Sequence, residues 1–341
     1  MVLLLTACAS SAEDSAASAS SVVLSQVTVP GVGTVDLFID NGRFGEPGVV
    51  NPDGPDVRDM EGTWVVPAFI DSHVHLAYLD VGQELTRNGV AAAIDLAAPL
   101  DTISAQQPLR VLWSGPMITA EGGYPTQGWG SNGYGLEVSG PDAARAAVQN
   151  LHGLGVSVIK LSLTSSPSLS SNSVHAAVDE AHDLGLKVAT HALSDDKVRL
   201  ASEAGVDLLA HTPTGSLSPS TVESWSSGAV VSTVHAFSGR ANLKALIDAG
   251  ATLLYGTDLG NTRYAGIDPE EISGLMATGF TPQQILTAGT SAPADFWGLD
   301  ELGSVEAGKA ASFLVLDRDP LEDPLAVTEP IEVWMDGERV K

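Results

Sequence analysis

Between Ala68 and Thr278 short apolar runs alternate with segments in which apolar residues recur at the three-to-four-residue spacing of a helix. The runs predict strands at Ala68 to His75, Val90 to Leu96, Arg110 to Ser114, Val156 to Leu163, Lys187 to His191, Asp207 to His211, Val230 to His235 and Thr252 to Asp258. The periodic segments predict helices at Gly140 to Leu154, Ser173 to Leu184, Asp195 to Ala204, Ser218 to Ser227, Asn242 to Ala249 and Glu270 to Thr278, with weak helix signals after the first three strands. Parallel neighbours need a helical crossover, so eight strands each followed by a helix fit an α/β fold of the (β/α)8 TIM-barrel type. A doubly wound open sheet fits the alternation nearly as well, and periodicity alone leaves both readings open.

Outside this region the pattern changes. From Val22 to Val66 short Val-rich runs are separated by turns such as Asp40-Asn41-Gly42 and Pro52-Asp53-Gly54, the signature of several short strands. The segment from Gly303 to Lys341 reads the same way, with strands at Phe313 to Leu316 and Ile331 to Met335 and a hairpin turn at Asp336-Gly337. The expected organisation is therefore a signal and Ser/Ala-rich tether over 1–21, half of a small β-sandwich over 22–66, the barrel over 67–302, and the other half of the sandwich over 303–341.

A chain of 341 residues with 44% hydrophobic positions can build a sizeable core. Its 42 acidic against 16 basic residues give a net charge of −26, which repels polyphosphate and argues against nucleic acid as a partner. Cys8 is the single cysteine, which excludes intramolecular disulfides and thiolate metal cages; a metal would rest on His, Lys or carboxylate. Val2-Leu3-Leu4-Leu5-Thr6-Ala7-Cys8 resembles the bacterial lipobox, and the stretch Ala9 to Ser21 reads as a flexible tether. The resemblance implies an exported lipoprotein, periplasmic or on the cell surface, that meets the membrane only through a lipid on Cys8. The apolar run is too short to span a bilayer and no Lys or Arg precedes it, which leaves a start further upstream open.

Candidate chemistry clusters at predicted strand ends. His73 and His75 lie two apart on one strand and share a face, although two satisfied core histidines would look the same. His191, His211 and Asp258 close three further strands and Lys160 lies within another. In a barrel, residues at the C-terminal strand ends converge on one rim, where sites on this fold are built. Imidazole and carboxylate donors suit zinc, manganese or iron.

The stretch Pro67-Ala68-Phe69-Ile70-Asp71-Ser72-His73-Val74-His75 resembles the signature with which amidohydrolase-superfamily barrels open. In order there follow Val158-Ile159-Lys160, Thr190-His191, Ala210-His211, Gly256-Thr257-Asp258-Leu259-Gly260 and Leu302-Gly303-Ser304-Val305-Glu306-Ala307-Gly308-Lys309, each similar to the corresponding family segment. The similarity runs from Val22 onward and is closest to the imidazolonepropionase-like and prolidase-like branch, which includes Xaa-Pro and Met-Xaa dipeptidases. It implies that His73, His75 and Asp258 hold one divalent ion, that His191 and His211 hold another, and that Lys160, carboxylated by carbon dioxide, bridges the two. A protonated lysine is disfavoured beside two dications, whereas a carbamate, Asp258 and a bridging hydroxide together offset three of four positive charges.

Zinc is the first choice of metal, with manganese or iron as alternatives. Paired ions about 3.5 to 4 Å apart can lower the pKa of a bridging water towards about 7 and polarise a carbonyl. Asp258 is then both ligand and general acid/base. The implied reaction is hydrolysis of a C–N amide or peptide-like bond in a small molecule, a dipeptide or an acyl amino acid. A lactonase or esterase, and a mononuclear imidazolone-type hydrolase or deaminase, are the enzyme alternatives; Lys160 speaks against the mononuclear pair. Outside enzymes, a surface-anchored binding lipoprotein on a degenerate barrel is the competitor. A homo-oligomer is left open.

Three departures from the family pattern stand out: Ala68 for a glycine, Ser312 for an aspartate, and Tyr124, after Gly122-Gly123, where relatives often carry histidine. Tyr124 is a candidate substrate contact, as are His235, predicted to end the seventh strand, and Arg263, whose planar fork suits a carboxylate. His175 and His182, seven apart on one predicted helix, read as a solvated face. The Gly-rich run Gly128 to Gly135, with Trp129 and Tyr134, lacks a phosphate-loop context and reads as a mobile lid over an aromatic-lined pocket.

Overall fold

The computed structural model describes residues 21–46, 56–104, 106–164 and 166–341. Cys8, the tether up to residue 20 and the Pro52-Asp53-Gly54 turn lie outside the described residues.

The central region is built from parallel strands in two arcs. Phe69–Val74 pairs with Val90–Asp95, which pairs with Arg110–Trp113. Met117–Ala120 pairs with Val158–Leu163, followed in order by Lys187–Ala192, Leu208–Leu209, Ala229–Val231 and Thr252–Leu254. Arg110–Trp113 and Met117–Ala120 are one passage of chain broken at Ser114-Gly115-Pro116, and they face different neighbours. Ser157 N donates to Trp113 O at 2.8 Å across that seam. At the other seam Ser72 N donates to Tyr255 O and Asp258 N to His73 O, both at 2.9 Å. The result is an α/β barrel. Most of its strands are buried on both faces and therefore read as near-continuous apolar runs such as Val90-Ala91-Ala92-Ala93-Ile94.

Helices Pro141–Gly153, Ser171–Asp183, Asp195–Glu203, Pro219–Ser224, Arg240–Asp248 and Pro269–Thr278 fall where periodicity predicts them. Several begin at residues suited to it: Ser170 and Ser218 accept from the third helical amide, and Asp268 caps Glu270 N. Three differences from expectation have local causes. The second strand is followed only by a 3-10 turn, Leu100–Thr102, where Pro99 and a short segment leave no room for an α-helix. Helices Pro282–Gly289 and Ser291–Trp297 were not expected; the first is opened by a capping box of Thr281 and Gln284. The late strands are short, so the seventh stops at Val231 and His235 lies instead in the four-residue helix Val234–Phe237.

The chain ends share a second domain. Val22–Val29, Gly33–Asp40, Arg43–Phe44, Asp56–Asp59 and Trp64–Pro67 join Phe313–Leu316, Glu332–Met335 and Glu338–Arg339 in one hydrogen-bonded, eight-stranded sheet. Its own apolar cluster includes Leu24, Val27, Val65, Phe313 and Trp334. Phe313–Leu316 pairs antiparallel with Trp64–Pro67, the strand that leads directly into the barrel. Asn41-Gly42 and Asp336-Gly337 both take the doubly left-handed backbone of a tight hairpin, with φ of 49° and 78° in each turn. Ser312, in the place of a family aspartate, contacts Asp336 Oδ1 and accepts from Asp336 N, a structural role in this sheet.

Candidate active site

A cavity of about 500 Å³ opens at the C-terminal ends of the barrel strands, and His73, His75, Lys160, His191, His211 and Asp258 all line it. His73 is the last but one residue of the first strand and His75 follows its end, so the period-two spacing sends both imidazoles inward. Lys160 and His191 come from the neighbouring strands Val158–Leu163 and Lys187–Ala192. His211 stands just past Leu208–Leu209.

Asp258 occupies a left-handed position, φ 52°, which aspartate tolerates better than most side chains. Asn261 N and Thr262 N both donate to Asp258 O at 3.0 Å, closing the turn that carries it.

The distances are those of a cluster. His73 Nε2 lies 3.2 Å from His75 Nε2 and 3.4 Å from Asp258 Oδ1, and His75 Nε2 lies 3.0 Å from the same oxygen. His211 stacks near His73 at a ring separation of 4.5 Å and lies 4.7 Å from His191. His73 Nδ1 sits 2.8 Å from Ala210 O; a proton there leaves the Nε2 lone pair facing the cluster.

Burial and neighbouring charges keep most of these donors unprotonated, with lone pairs available. Burial holds His73 and His211 well below the usual imidazole range and brings His191 down to about 3. Burial also lowers Lys160 to about 7. Burial pushes Asp258 upward, but His73 and His75 outweigh it and bring it to about 2. His75 moves the other way: burial opposes its protonation, and Asp258 more than compensates.

These residues fit divalent ions. His73, His75 and Asp258 offer donor atoms all within 4.8 Å of one another. Lys160 Nζ and His211 Nδ1 are buried without a hydrogen-bond partner, a costly state for an isolated protein and a natural one for groups awaiting a ligand.

Two buried acids that sequence reasoning missed brace the cluster. Asp71 accepts from His73 N at 3.0 Å, Thr257 N at 3.1 Å and Thr257 Oγ1 at 2.6 Å, tying the first strand to the segment carrying Asp258. Asp95 accepts from Leu76 N at 2.7 Å and Ala97 N at 3.1 Å, tying the second strand to the residue after His75. Both acids accept from backbone amides, which no side-chain spacing signals.

The outer wall is aromatic. Tyr124 lines the cavity with its ring 5.1 Å from His191, and its hydroxyl accepts from Trp129 Nε1 at 2.9 Å. Trp129, from the Gly-rich run, also approaches His75 at 5.6 Å, while Tyr134 is buried behind it at 5.2 Å. Arg263 lines the mouth. His235 does not join them: its Nδ1 pairs with Asp268 Oδ2 at 2.7 Å, and Phe237 from the same short helix takes the wall position, 4.2 Å from the His211 ring. The reason is the early end of the seventh strand, which turns His235 away and Phe237 in. His175 and His182 are on the outer surface, bonded to Ser171 O and to Asp207.

The amidohydrolase family's sequence profile matches residues 64–340. The chain belongs to the amidohydrolase family. It is thereby a metal-dependent hydrolase, and the His73, His75 and Asp258 cluster is where this amidohydrolase presents metal-binding donors. An uncharacterized protein of Mycobacterium tuberculosis is 24% identical over 91% of this chain and 93% of its own length. Among solved structures, a Xaa-Pro dipeptidase with bound methionine in the active site has a TM-score of 0.82 at 19% identity, over 94% of this chain and 100% of that one. Phenylurea hydrolase B has a TM-score of 0.78 at 20% identity, over 94% and 97%. At such identities these likenesses establish the fold, an α/β barrel with a second domain.

Proposed function

We propose that this amidohydrolase is a dinuclear enzyme that hydrolyses a C–N amide or peptide-like bond in a dipeptide or acyl amino acid. The observation that carries the proposal is the convergence of four imidazoles, Asp258 and an unpartnered buried Lys160 on one cavity. In this reading the barrel is of the (β/α)8 type with a flanking sandwich, and the chain lies in the prolidase-like branch. His73, His75 and Asp258 would hold one ion and His191 and His211 the other, with a carboxylated Lys160 contributing a further donor to the site. Zinc fits this borderline donor set best. When bound, the ions supply Lewis acidity, bringing the pKa of water towards neutrality and drawing charge from a carbonyl oxygen.

The chain's own residues do the rest. Asp258, ionised and fixed by its turn, takes the proton of the attacking water as oxygen bonds to the carbonyl carbon; it returns that proton to the nitrogen as the C–N bond breaks. The Tyr124 hydroxyl, accepting from Trp129 at 2.9 Å, keeps its own proton to donate to substrate. A lipid on Cys8 would hold this site at the membrane surface outside the cytoplasm.

The test is turnover. The zinc- or manganese-loaded protein is offered dipeptides, N-acyl amino acids and lactones. Cleavage of the amides supports the proposal, exclusive cleavage of lactones transfers it to ester chemistry, and retention of ligands without consumption marks a binding protein.

A further inference from the structure

We infer that Arg263 is the anchor for a free carboxylate on the substrate, so that the enzyme selects acyl amino acids and dipeptides with an unblocked C-terminus. The inference rests on the hydrolase reading above and adds to it which end of the substrate is read and by what.

Arg263 lines the cavity mouth and is exposed. Its guanidinium carbon lies 5.6 Å from the Tyr78 ring centroid, a cation–π contact that leaves its N–H groups free to donate. Among the described residues it has no carboxylate partner, in a chain with 42 acidic residues to choose from. Arg58 on Glu332, Arg110 on Glu301 and Asp336, and Arg318 on Asp323 and Glu329 are instead committed to acids of the chain, and Arg263 is the arginine that lines the cavity. A cation kept unpaired at the rim of a strongly anionic protein is complementary to an incoming anion.

The position is also set relative to the chemistry. Arg263 follows Asp258 by five residues on a turn that closes on itself: Asn261 N and Thr262 N donate to Asp258 O, Gly260 N to Thr262 O, and Thr262 Oγ1 to Thr257 O. Asn261 Nδ2 reaches Asp258 Oδ2 at 3.2 Å. The anchor and the proton carrier are thus parts of one braced loop, and a substrate gripped by its carboxylate is delivered at a fixed distance from Asp258. Trp129, Phe237 and Met117 line the same cavity and offer apolar surface for the side chain next to that carboxylate.

The test uses the zinc-loaded protein and R263Q with N-acetyl-L-phenylalanine and N-acetyl-L-phenylalaninamide, equal in size and differing in charge. The readout is apparent affinity: KM where the probe is turned over and calorimetric Kd where it is not. The parent is expected to favour the acid by about tenfold or more, a charge-assisted bidentate contact partly exposed to water. R263Q should lose that preference through the acid alone, with the amide within about twofold, and R263K should restore part of it. Equal changes for both probes, an acid preference that survives in R263Q, or no binding of the acid by the parent would overturn the anchor. Turnover without dependence on Arg263 leaves the hydrolase and removes the anchor. An Arg263-dependent acid preference with no cleavage of either probe keeps the anchor and removes the amidase reading.

Discussion

Replacing Glu271 by Gln should alter how stability depends on pH, because Glu271 holds the turn that places Phe237 in the active-site wall. Its carboxylate is fully buried and accepts from Val234 N at 3.0 Å and His235 N at 2.7 Å, the two amides that open the short helix Val234–Phe237. Burial raises it from 4.5 to about 7, against the lowering effect of those amides and of Ser232, while Asp268 adds a small push upward. His235 pairs with Asp268, and buried Tyr255 and Asp71 face the same region.

A group whose folded pKa is raised favours folding below its unfolded pKa, and that advantage disappears as pH climbs through the folded value. A displacement from 4.5 to about 7, at ~1.4 kcal/mol per pH unit, sets the loss at no more than about 3.5 kcal/mol. Glutamine does not titrate. Urea denaturation of parent and E271Q at pH 5, 6, 7 and 8, both in chelator, should therefore show the parent's stability relative to the variant falling across this window. A stability difference that stays constant from pH 5 to pH 8 would refute the electrostatic account of this turn.

Gly256→Ala places a Cβ 2.3 Å from Val231 Cγ1 and 3.1 Å from His73 N, so thermal denaturation should show a loss of about 2 kcal/mol, with weakened metal retention. Tyr124→Phe removes a hydroxyl that accepts from Trp129 but leaves the ring beside His191; activity on amides should fall about tenfold with the melting temperature nearly unchanged. His235→Ala should cost about 1 kcal/mol of stability by leaving buried Asp268 without its imidazole, yet leave kcat within about twofold, since His235 faces away from the cavity.

Strand ends marked the histidines, Lys160 and Asp258 as candidates, and the resemblance to the amidohydrolase signature joined them into one site, since periodicity alone left an open sheet nearly equally possible. The helices with clear apolar period fell within about two residues of prediction, as expected of segments whose one face packs on the barrel. What the sequence concealed follows from interactions with no local signal. The break at Ser114-Gly115-Pro116 lets one passage of chain serve two neighbours, which is a property of barrel closure rather than of that tripeptide. The inward turn of Phe237 depends on Glu271, 34 residues later, capping two amides. Asp71 and Asp95 act on backbone N–H groups, so nothing in residue spacing marks them. The terminal halves were readable as strands, but their merger into one sheet depends on Trp64–Pro67 meeting Phe313–Leu316 across 245 intervening residues.

We propose that one cavity would hold a pair of divalent ions joined through Lys160. Elemental analysis of the protein and of K160A, each dialysed against zinc and then freed of unbound metal, tests it directly. Two zinc ions per chain in the parent, falling to one or none in K160A and regained in part on adding short carboxylic acids, is the predicted result. A parent that retains at most one ion, or a K160A protein that keeps the parent's full complement, would contradict the account.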